Sequence, residues 1–521
     1  MIGPLAKGAA SVAPRRRQDA TYRNALAVLV LLAAAASCAL IRRGPGHPDL
    51  GRIETIVVIY AENRSFDNLY GLYPGAHGIA EALADSARYT QVDRNGAVLP
   101  HLPPVWQSPS SPPAADPKFP PALPNGPFRI DDVPIGLPLS APTRDLWHRF
   151  YQNQEQIDGG KNDRFVALSD AGALAMGYYD GSSLPMWQLA REYTLADQFF
   201  MGAFGGSLLN HFWLVCACTP EFRGAPKSIR AGLDGDGRLV RLPDSPKSAL
   251  QGPPLLADGA VSPDGYVVNT LQPPYQPSAT PPAAGGSLEY ADPASSTVLP
   301  PQHAQTIGDL LTRKRIDWAW YAESWKAAIA DGERPASFPR EVIYAQANGG
   351  PNFQPHHMPF NYFARFDPRS GVAERAAHLR DGAEFLPDAQ RGALPPVVFY
   401  KPQGTVNEHP GYAQVLAGDA HIAGIVRALQ QSPQWPHMVI IVTYDENGGF
   451  WDHVPPPPGD RWGPATRVPT IIVSPFARRG YVDHTPYDTT SILKLITERF
   501  DLEPLPGIRP AAGDLTGALD L

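Results

Sequence analysis

Proline is the feature that most restricts how this chain can fold. Of the 521 residues, 59 are proline and 47 are glycine, so about a fifth of the chain interrupts regular structure. Fourteen prolines lie between Pro100 and Pro142, and thirteen lie between Pro243 and Pro301. Because proline lacks the N–H that helices and central strands require, we expect both stretches to be long surface loops. A coiled coil, a helical bundle and a membrane channel are excluded.

The rest of the chain is apolar enough to form a large core. Hydrophobic residues make up 43% and aromatic residues 10% of the sequence, which is typical of a folded protein. Five short apolar runs are predicted to be buried strands: Ile56 to Tyr60, Ile316 to Tyr321, Val397 to Tyr400, Met438 to Tyr444 and Val468 to Val473. Four segments are predicted to be helices: Leu184 to Glu192, Ala304 to Lys314, Gly418 to Gln430 and Thr490 to Phe500. The alternation predicts an α/β fold with a central, mostly parallel sheet, helices on both faces and long Pro-rich loop insertions.

Charge and cysteine content narrow the class of protein further. A formal charge of -7 and a pI near 6.1 argue against nucleic-acid binding through bulk electrostatics. Three cysteines, Cys38, Cys216 and Cys218, are too few for a disulfide framework. Because Cys216 and Cys218 are so close in sequence, a bridge between them would be strained. Their apolar neighbours predict that both are buried as small hydrophobic residues.

The amino terminus has the pattern of an export signal. Three arginines at positions 15–17 precede an apolar run at residues 25–41, which contains small residues around Ser37. Cleavage after Ala35 or Ser37 would release a periplasmic or secreted protein. Without cleavage, residues 25–41 are just long enough to span a membrane and would anchor the chain there. The alternative is a cytoplasmic chain in which this run is a buried helix.

Acidic residues follow two of the predicted strands directly. Glu62 and Asn63 come after the first strand, and Asp445 and Glu446 come after Met438 to Tyr444. In a parallel sheet the carboxyl ends of strands gather functional residues at one edge. Three carboxylates and an amide oxygen are ligands suited to a divalent cation. Either turn alone is more typical of a helix cap or a surface turn, and only their pairing favours a metal site.

A glycine pair places Ser207 at the start of a predicted helix. Gly205 and Gly206 precede the serine, and an apolar run follows it. The free N–H groups and the dipole at a helix amino terminus favour a negative charge, so this position suits a phosphate group. Serine is also a common helix cap, and the structural interpretation therefore stays open.

Four histidines lie in polar or aromatic loop segments: His148, His356, His357 and His409. An imidazole beside a phosphate group can stabilise its charge or transfer a proton. A loop histidine is more often solvated or a cap, but a pair of histidines followed by proline and aromatic residues is harder to explain in that way.

These segments together resemble a bacterial phosphoesterase family that contains phospholipases C and a group of acid phosphatases, within the alkaline phosphatase superfamily. The segment from Glu62 to Asp67 is similar to the family's opening signature. Tyr444 to Gly449, with Asp452 to Pro456, is similar to its distal signature, and Asp483 to Ser491 fits a third block. The resemblance extends from about Ile53 to Leu502, apart from the Pro-rich loops.

The resemblance implies a role for each site residue and a division of the chain. It implies one divalent metal ion, of unknown identity, held by Glu62, Asn63, Ser207, Asp445 and Glu446. It implies catalysis by Ser207, His357 and His409, and substrate binding by Asn63, His148, His356, Asn210 and His211. Asp452 and His453 fit the motif without an assigned ligand role. The regions implied are an export signal or anchor with a linker at residues 1–50, a phosphoesterase domain at 51–505 with insertions at about 97–142 and 243–301, and a tail at 506–521.

Three functions agree with these residues. The first is an exported acid phosphatase that hydrolyses small phosphate monoesters through a phosphoserine at Ser207, with highest activity below neutral pH. This interpretation is favoured because the resembling phospholipases C typically carry threonine where this chain has Ser207. The second is a phosphodiesterase of the phospholipase C type that acts on lipid head groups. The third is a non-catalytic binding protein that a cation stabilises.

Overall fold

A mainly parallel sheet of eight strands forms the centre of the structure, a computed structural model that describes residues 49–107, 112–345 and 350–521. The strands are β1 (Thr55–Ala61), β2 (Phe128–Arg129), β3 (Gly177–Tyr178), β4 (Thr194–Ala196), β5 (Phe199–Phe200), β6 (Trp318–Ala322), β7 (Leu379–Asp381), β8 (Val397–Lys401), β9 (Met438–Tyr444), β10 (Thr470–Val473), β11 (Tyr481–Asp483) and β12 (Tyr487–Asp488). The order in the main sheet is β11, β4, β10, β9, β1, β8, β6, β7. All five predicted strands are confirmed in this sheet.

The helices cover a sheet whose inner strands are buried on both faces. They are α1 (Phe66–Tyr70), α2 (Ala80–Ala84), α3 (Phe150–Ile157), α4 (Phe165–Leu168), α5 (Pro185–Glu192), α6 (Ser207–Cys216), α7 (Ile307–Arg313), α8 (Trp325–Gly332), α9 (Val372–His378), α10 (Phe385–Gln390), α11 (Val415–Leu429) and α12 (Thr489–Arg499). Helix α11 packs against α5 and α10, while α6 packs against α12 and α7. Every residue of β1, β8 and β9 is buried. The α/β class and the four predicted helices are confirmed.

The register of the central strands brings the two acidic turns together. Strand β1 pairs in parallel with β8 on one side and with β9 on the other, and Ala61 lies opposite Tyr444. Both strands therefore end at the same level of the sheet. The residues that follow them, Glu62 and Asp445, start from adjacent strand ends. Strand β10 is antiparallel to β9 and β4.

Both proline-rich stretches are loops outside the central sheet, as predicted. Among their described residues, the stretch between Pro100 and Pro142 contains only the two-residue strand β2, which pairs with β3 in a separate small ribbon. The stretch between Pro243 and Pro301 contains one short 3-10 helix, at Ala249–Gln251.

The prediction for Cys216 and Cys218 is wrong in two respects, because the structure joins them in a disulfide bond and Cys218 is only half-buried. Helix α6 ends at Cys216, and Ala217 adopts a left-handed conformation with φ of 46°. This turn brings the two Cα atoms to 5.1 Å, within the usual range for a bridge. Cys216 is buried, as expected.

The predicted export segment at residues 25–41 lies outside the described residues, and the domain boundaries stay predictions. Residues Gly51–Leu521 form one compact unit. None of the helices in the described part of the chain combines the length and the apolar character that a membrane span requires.

Candidate active site

The turns after β1 and β9 form one buried cluster of oxygen atoms. The side chains of Glu62, Asn63, Asp445 and Glu446 are all inaccessible to solvent. Oδ1 of Asp445 accepts hydrogen bonds from the backbone N–H groups of Asn63, at 3.1 Å, and of Glu446, at 2.8 Å. Asp445 thus ties the two turns together, while its Oδ2 has no hydrogen-bond partner among the described residues.

Ser207 joins this cluster from the first turn of α6. Its Oγ lies 3.3 Å from Oε2 of Glu62, 3.5 Å from Oδ1 of Asn63 and 3.4 Å from Oε1 of Glu446. Oxygen atoms at such separations can share one cation at the usual metal–oxygen distances of about 2.0 to 2.6 Å. With the unpartnered Oδ2 of Asp445, the donor set fits a hard divalent cation. The structure therefore brings together all five residues that the sequence assigned to the metal.

A tight turn before α6 positions the serine. Gly205 has φ of +85°, and a Cβ there would lie 2.4 Å from the backbone nitrogen of Phe150, so only glycine fits. The side chain of Asn210 holds this turn: its Oδ1 accepts from the N–H of Ala203 at 2.9 Å, and its Nδ2 donates to the carbonyls of Ala203 and Gly206. The amide of Asn210 is therefore bonded within this turn, and its contact with substrate stays a prediction.

The approach of the two motif turns also requires glycine. Gly448 has φ of +61°, and a Cβ there would lie 2.3 Å from the carbonyl oxygen of Asn63. Asn63 itself has φ of 62°, a left-handed conformation that asparagine tolerates better than most residues. This conformation belongs to the residue whose Oδ1 lies near Ser207, and such local strain is common at functional sites.

The pKa values of the three carboxyl groups shift in different directions, because their charged neighbours differ. Burial, and after it the neighbouring Glu62 carboxylate, raises the pKa of Asp445 well above its usual range. Burial and then Asp445 raise the pKa of Glu446 in the same way. Burial would also raise the pKa of Glu62, but the Lys401 ammonium and the His357 imidazole outweigh it and hold that pKa well below the usual range.

Lys401 is a site residue that the sequence analysis missed. It is the last residue of β8 and is fully buried, and its ammonium group pairs with Oε1 of Glu62. It also lies 5.2 Å from the centre of the Tyr60 ring. A signal was present: Lys401 directly follows the apolar run from Val397 to Tyr400, at the same sheet edge that identified Glu62 and Asp445.

Three buried imidazoles lie beside Glu62. Nε2 of His357 is 2.9 Å from Oε1 of Glu62. His211 stacks on His357 at 5.6 Å between ring centres, and its Nδ1 donates to the carbonyl of Ser207 at 2.7 Å. Both ring nitrogens of His356 lack a hydrogen-bond partner among the described residues, so His356 is the member of the 356/357 pair that is free to contact a ligand. Burial lowers the pKa of His357 to about 4.

His148 lies beside Asn63 and Glu446, and His409 contacts His148. Nε2 of His148 is 3.4 Å from Nδ2 of Asn63 and 3.6 Å from Oε1 of Glu446. The ring of His409 meets that of His148 at 5.7 Å, and its Nδ1 donates to the carbonyl of Pro410 at 2.5 Å. The structure therefore gathers all the predicted histidines, and their catalytic and binding roles stay predictions.

A cavity of about 300 Å³ opens at the start of α6, where Gly206 and Leu208, the chain neighbours of Ser207, line it. Asp145, Trp147, His148 and Arg149 line it together with the start of α6 and with residues 259–260 and 269–270. The second Pro-rich loop thus forms part of the wall of this cavity. The described residues of the first loop do not line this cavity.

Asp452 and His453 belong to a buried ion-pair network that supports the motif turns. Nε of Arg467 donates to Oδ1 of Asp452 at 2.8 Å, and Nδ1 of His453 lies 2.7 Å from Oδ2 of Asp67. The backbone N–H of Asp67 donates to Oδ2 of Asp452 at 3.1 Å, which joins the two pairs. Because Asp67 lies in the first motif and Asp452 in the second, this network fixes one turn against the other.

A second pair of buried acids, Glu408 and Asp419, gives a testable pH dependence. Burial raises the pKa of Asp419 to about 7, and its Oδ2 has no hydrogen-bond partner among the described residues. A carboxyl group whose folded pKa exceeds its unfolded value of about 3.9 adds stability below that value, and this stability is lost as pH rises toward 7. The Asp419→Asn variant should therefore exceed wild type in free energy of unfolding by a few kcal/mol at pH 8 and match it near pH 4. Denaturant melts at both pH values test this.

The exposed Asp501 provides the matched control for that experiment. Asp501→Asn should leave the pH dependence of unfolding unchanged, since a surface ion pair contributes little. Parallel pH curves for wild type and Asp419→Asn would contradict the assignment.

A model of the phosphoesterase family matches residues 53–503. Phospholipase C B of Mycobacterium tuberculosis strain H37Rv is 25% identical over 514 residues, covering 91% of this chain and 79% of the relative. Hemolytic phospholipase C of Pseudomonas aeruginosa is 23% identical over 502 residues, covering 90% of this chain and 56% of the relative. A solved protein of the alkaline phosphatase superfamily from Vibrio parahaemolyticus is 9% identical to this chain, with a TM-score of 0.30 over 75% of each chain.

Proposed function

Because the chain belongs to the phosphoesterase family, we propose that it is an exported, metal-dependent acid phosphatase that hydrolyses phosphate monoesters through a phosphoserine at Ser207. The family match and the phospholipase C relatives identify it as a phosphoric ester hydrolase. The finer proposal is carried by Ser207 Oγ, which lies within 3.5 Å of three side-chain oxygens at the start of a helix.

The serine and its neighbours account for the transfer step. A divalent cation bound at Glu62, Asn63, Asp445 and Glu446 would make the serine hydroxyl more acidic and stabilise charge on the phosphoryl group. Ser207 Oγ attacks phosphorus in line, so the Oγ–P bond forms as the bond from phosphorus to the alcohol oxygen breaks. The hydroxyl proton is within reach of the Glu62 and Glu446 carboxylates. The free N–H groups at the start of α6 stabilise the phosphoryl oxygens, and water then releases phosphate from the serine.

The positive and hydrogen-bonding groups around Ser207 favour a monoester. A monoester phosphate carries about -1.5 to -2 charges at pH 7, whereas a diester carries a single negative charge. Lys401 supplies a buried ammonium group beside Glu62. Imidazoles surround the same cluster: His148, His211, His356, His357 and His409. This number of hydrogen-bonding groups suits the three unesterified oxygens of a monoester better than the two of a diester.

His409 is the residue we assign to protonation of the leaving alkoxide. Its Nδ1 donates to the Pro410 carbonyl, which leaves Nε2 as the atom that can face the substrate. Nε2 can donate a proton only when the ring is cationic. Burial lowers the pKa of His409, so the cationic form is present only below the ordinary histidine range near 6.5. Activity should therefore rise as pH falls below neutral.

The choice of substrate tests this proposal. Wild type should hydrolyse p-nitrophenyl phosphate with a kcat/KM at least about a hundredfold higher than that for p-nitrophenyl phosphorylcholine, which corresponds to roughly 3 kcal/mol in the transition state. The pH profile should have its maximum below pH 7, and His409→Asn should remove the fall in activity on the alkaline side of that maximum. Faster hydrolysis of the phosphorylcholine ester, or a rate that increases through the alkaline range, would contradict the assignment.

A phosphodiesterase of the phospholipase C type is the second candidate. The names of the relatives support it, since both are phospholipases C and both align with about nine-tenths of this chain. The same metal cluster and serine would serve that reaction. The third candidate, a non-catalytic protein that a cation stabilises, predicts no turnover of either ester and a metal whose removal unfolds the chain.

Export is supported by the amino-terminal sequence and by the disulfide bond. Three arginines precede the apolar residues 25–41, which is the order of a signal segment. The bond between Cys216 and Cys218 is typical of oxidising compartments. We therefore propose a periplasmic or secreted location, with membrane association through residues 25–41 if the segment is retained.

A further inference from the structure

Two neighbouring parallel strands at one edge of the sheet end in a second group of metal-binding side chains. Strands β4 and β11 pair in parallel, with Ala196 opposite Asp483. The next residues along the chain are Asp197 and His484. His77, which lies in the loop between α1 and α2, completes the group. Functional side chains are expected where parallel strands end, and neither signature motif uses these three residues as ligands.

The geometry of the three side chains suits a shared ion. Nδ1 of His484 lies 2.9 Å and Nδ1 of His77 lies 4.0 Å from the same oxygen, Oδ2 of Asp197. The two imidazole rings stack with their centres 4.6 Å apart. One ligand atom from each of the three residues lies within 4.8 Å of the other two.

Exposure distinguishes this group from a buried structural pair. The side chains of His77 and His484 are 50% and 46% exposed, whereas the Asp197 carboxylate is fully buried beneath them. Oδ2 of Asp197 also accepts the backbone N–H of His77 at 2.7 Å, which holds the loop of His77 over the carboxylate, and Nε2 of Gln198 lies 3.1 Å from Nδ1 of His77. Two accessible imidazoles above a buried carboxylate leave the remaining coordination positions of an ion open to water.

The ligand chemistry identifies the class of ion. Two imidazole nitrogens and one carboxylate oxygen suit borderline divalent ions such as Zn²⁺, Cu²⁺ and Ni²⁺, whereas Mg²⁺ and Ca²⁺ prefer oxygen ligands alone. The cluster at Ser207 offers mostly oxygen atoms, so the two sites differ in the ions that they favour.

We propose that His77, Asp197 and His484 bind a divalent transition-metal ion of the zinc class at a surface site separate from the cluster at Ser207. The proposal does not rest on the proposed phosphatase function. Arg467 connects the site to the rest of the protein, because its Nη1 donates to the carbonyls of His77, at 2.8 Å, and Asp197, at 2.7 Å. The same guanidinium pairs with Asp452, so a bound ion would stabilise the segment that supports the motif turns.

Zinc titration of the full-length chain tests the site. Equilibrium dialysis is performed with excess Mg²⁺, which competes for the oxygen-rich cluster, on wild type and on the double variant His77→Asn/His484→Asn. We expect wild type to bind one more Zn²⁺ than the double variant, whose affinity at this site should fall by at least about tenfold. Cu²⁺ in place of Zn²⁺ should give an electron paramagnetic resonance spectrum with nitrogen hyperfine splitting that the double variant lacks.

Two exposed histidines outside the group, His303 and His437, provide the matched control. The double variant His303→Asn/His437→Asn should bind Zn²⁺ as wild type does. Equal zinc stoichiometry and affinity in wild type and in His77→Asn/His484→Asn would overturn the proposal. So would a zinc-edge diffraction map without a peak between the three side chains, which is a measurement that does not depend on how the variants fold.

Discussion

Replacing Ser207 with alanine should lower kcat/KM for p-nitrophenyl phosphate by at least about a thousandfold, because the nucleophile of a covalent mechanism cannot be replaced by the rest of the site. The fold should persist. Ser207 Oγ makes only long contacts, of 3.3 to 3.5 Å, with the oxygen cluster. Steady-state kinetics and a thermal melt of the same preparation measure both effects.

Ser432 offers the matched control for loss of a buried hydroxyl group. Its Oγ donates to the Ala389 carbonyl, away from the cluster at Ser207. Ser432→Ala should lower stability modestly and leave kcat/KM within about threefold of wild type, as expected for a residue that makes no contact with substrate.

Acid quenching during turnover should trap one phosphoryl group on Ser207 in wild type. Retention of activity by Ser207→Ala would show that the reaction does not pass through this residue.

Removing two carboxylates from the cluster should separate catalysis from stability. The double variant Asp445→Asn/Glu446→Gln should lose its bound metal and at least about a hundredfold in kcat/KM, since several kcal/mol of charge stabilisation depend on the ion. Burial raises the pKa of Asp445, which means that its charge is unfavourable without a cation. The metal-free variant should therefore melt at the same temperature as metal-free wild type or higher.

Asp67 provides the contrasting control, because its charge is compensated within the protein. It pairs with His453 and Arg467. Asp67→Asn should lower the melting temperature, as expected when one partner of a buried ion pair is removed. The contrary outcome is that Asp445→Asn/Glu446→Gln unfolds, and that metal-free wild type also unfolds and refolds only when metal is added. The cation would then be structural, which would support the third candidate function.

The central sheet and the cluster of oxygen atoms after β1 and β9 were predictable because each is encoded locally. The run from Ile56 to Tyr60 and the run from Met438 to Tyr444 are apolar throughout, as strands buried on both faces must be. Glu62 and Asp445 are the polar residues that come after these runs. They were expected close together because the carboxyl ends of parallel strands lie at one edge of the sheet. The ends of the strands were predicted less closely than their positions in the chain: β6 begins two residues later than the predicted run.

Features that depend on distant contacts were not predictable. Strands β4, β7 and β11 have three residues each, too few for a hydrophobic period to be recognised. The site formed by His77, Asp197 and His484 spans most of the chain and exists only through the pairing of β4 with β11. The hydrogen bonds of the Asn210 amide to the glycine turn are likewise not visible in the sequence.

The central claim is that Ser207 attacks phosphorus at the metal cluster, and one crystal tests it most directly. A crystal of the full-length protein grown with metal and soaked with vanadate should show vanadium bonded to Ser207 Oγ, with the helix N-terminus beside its equatorial oxygens. A scan of the metal edge should place one ion among Glu62, Asn63, Asp445 and Glu446. Vanadate bound without a bond to Ser207, or an ion held by other residues, would contradict the account.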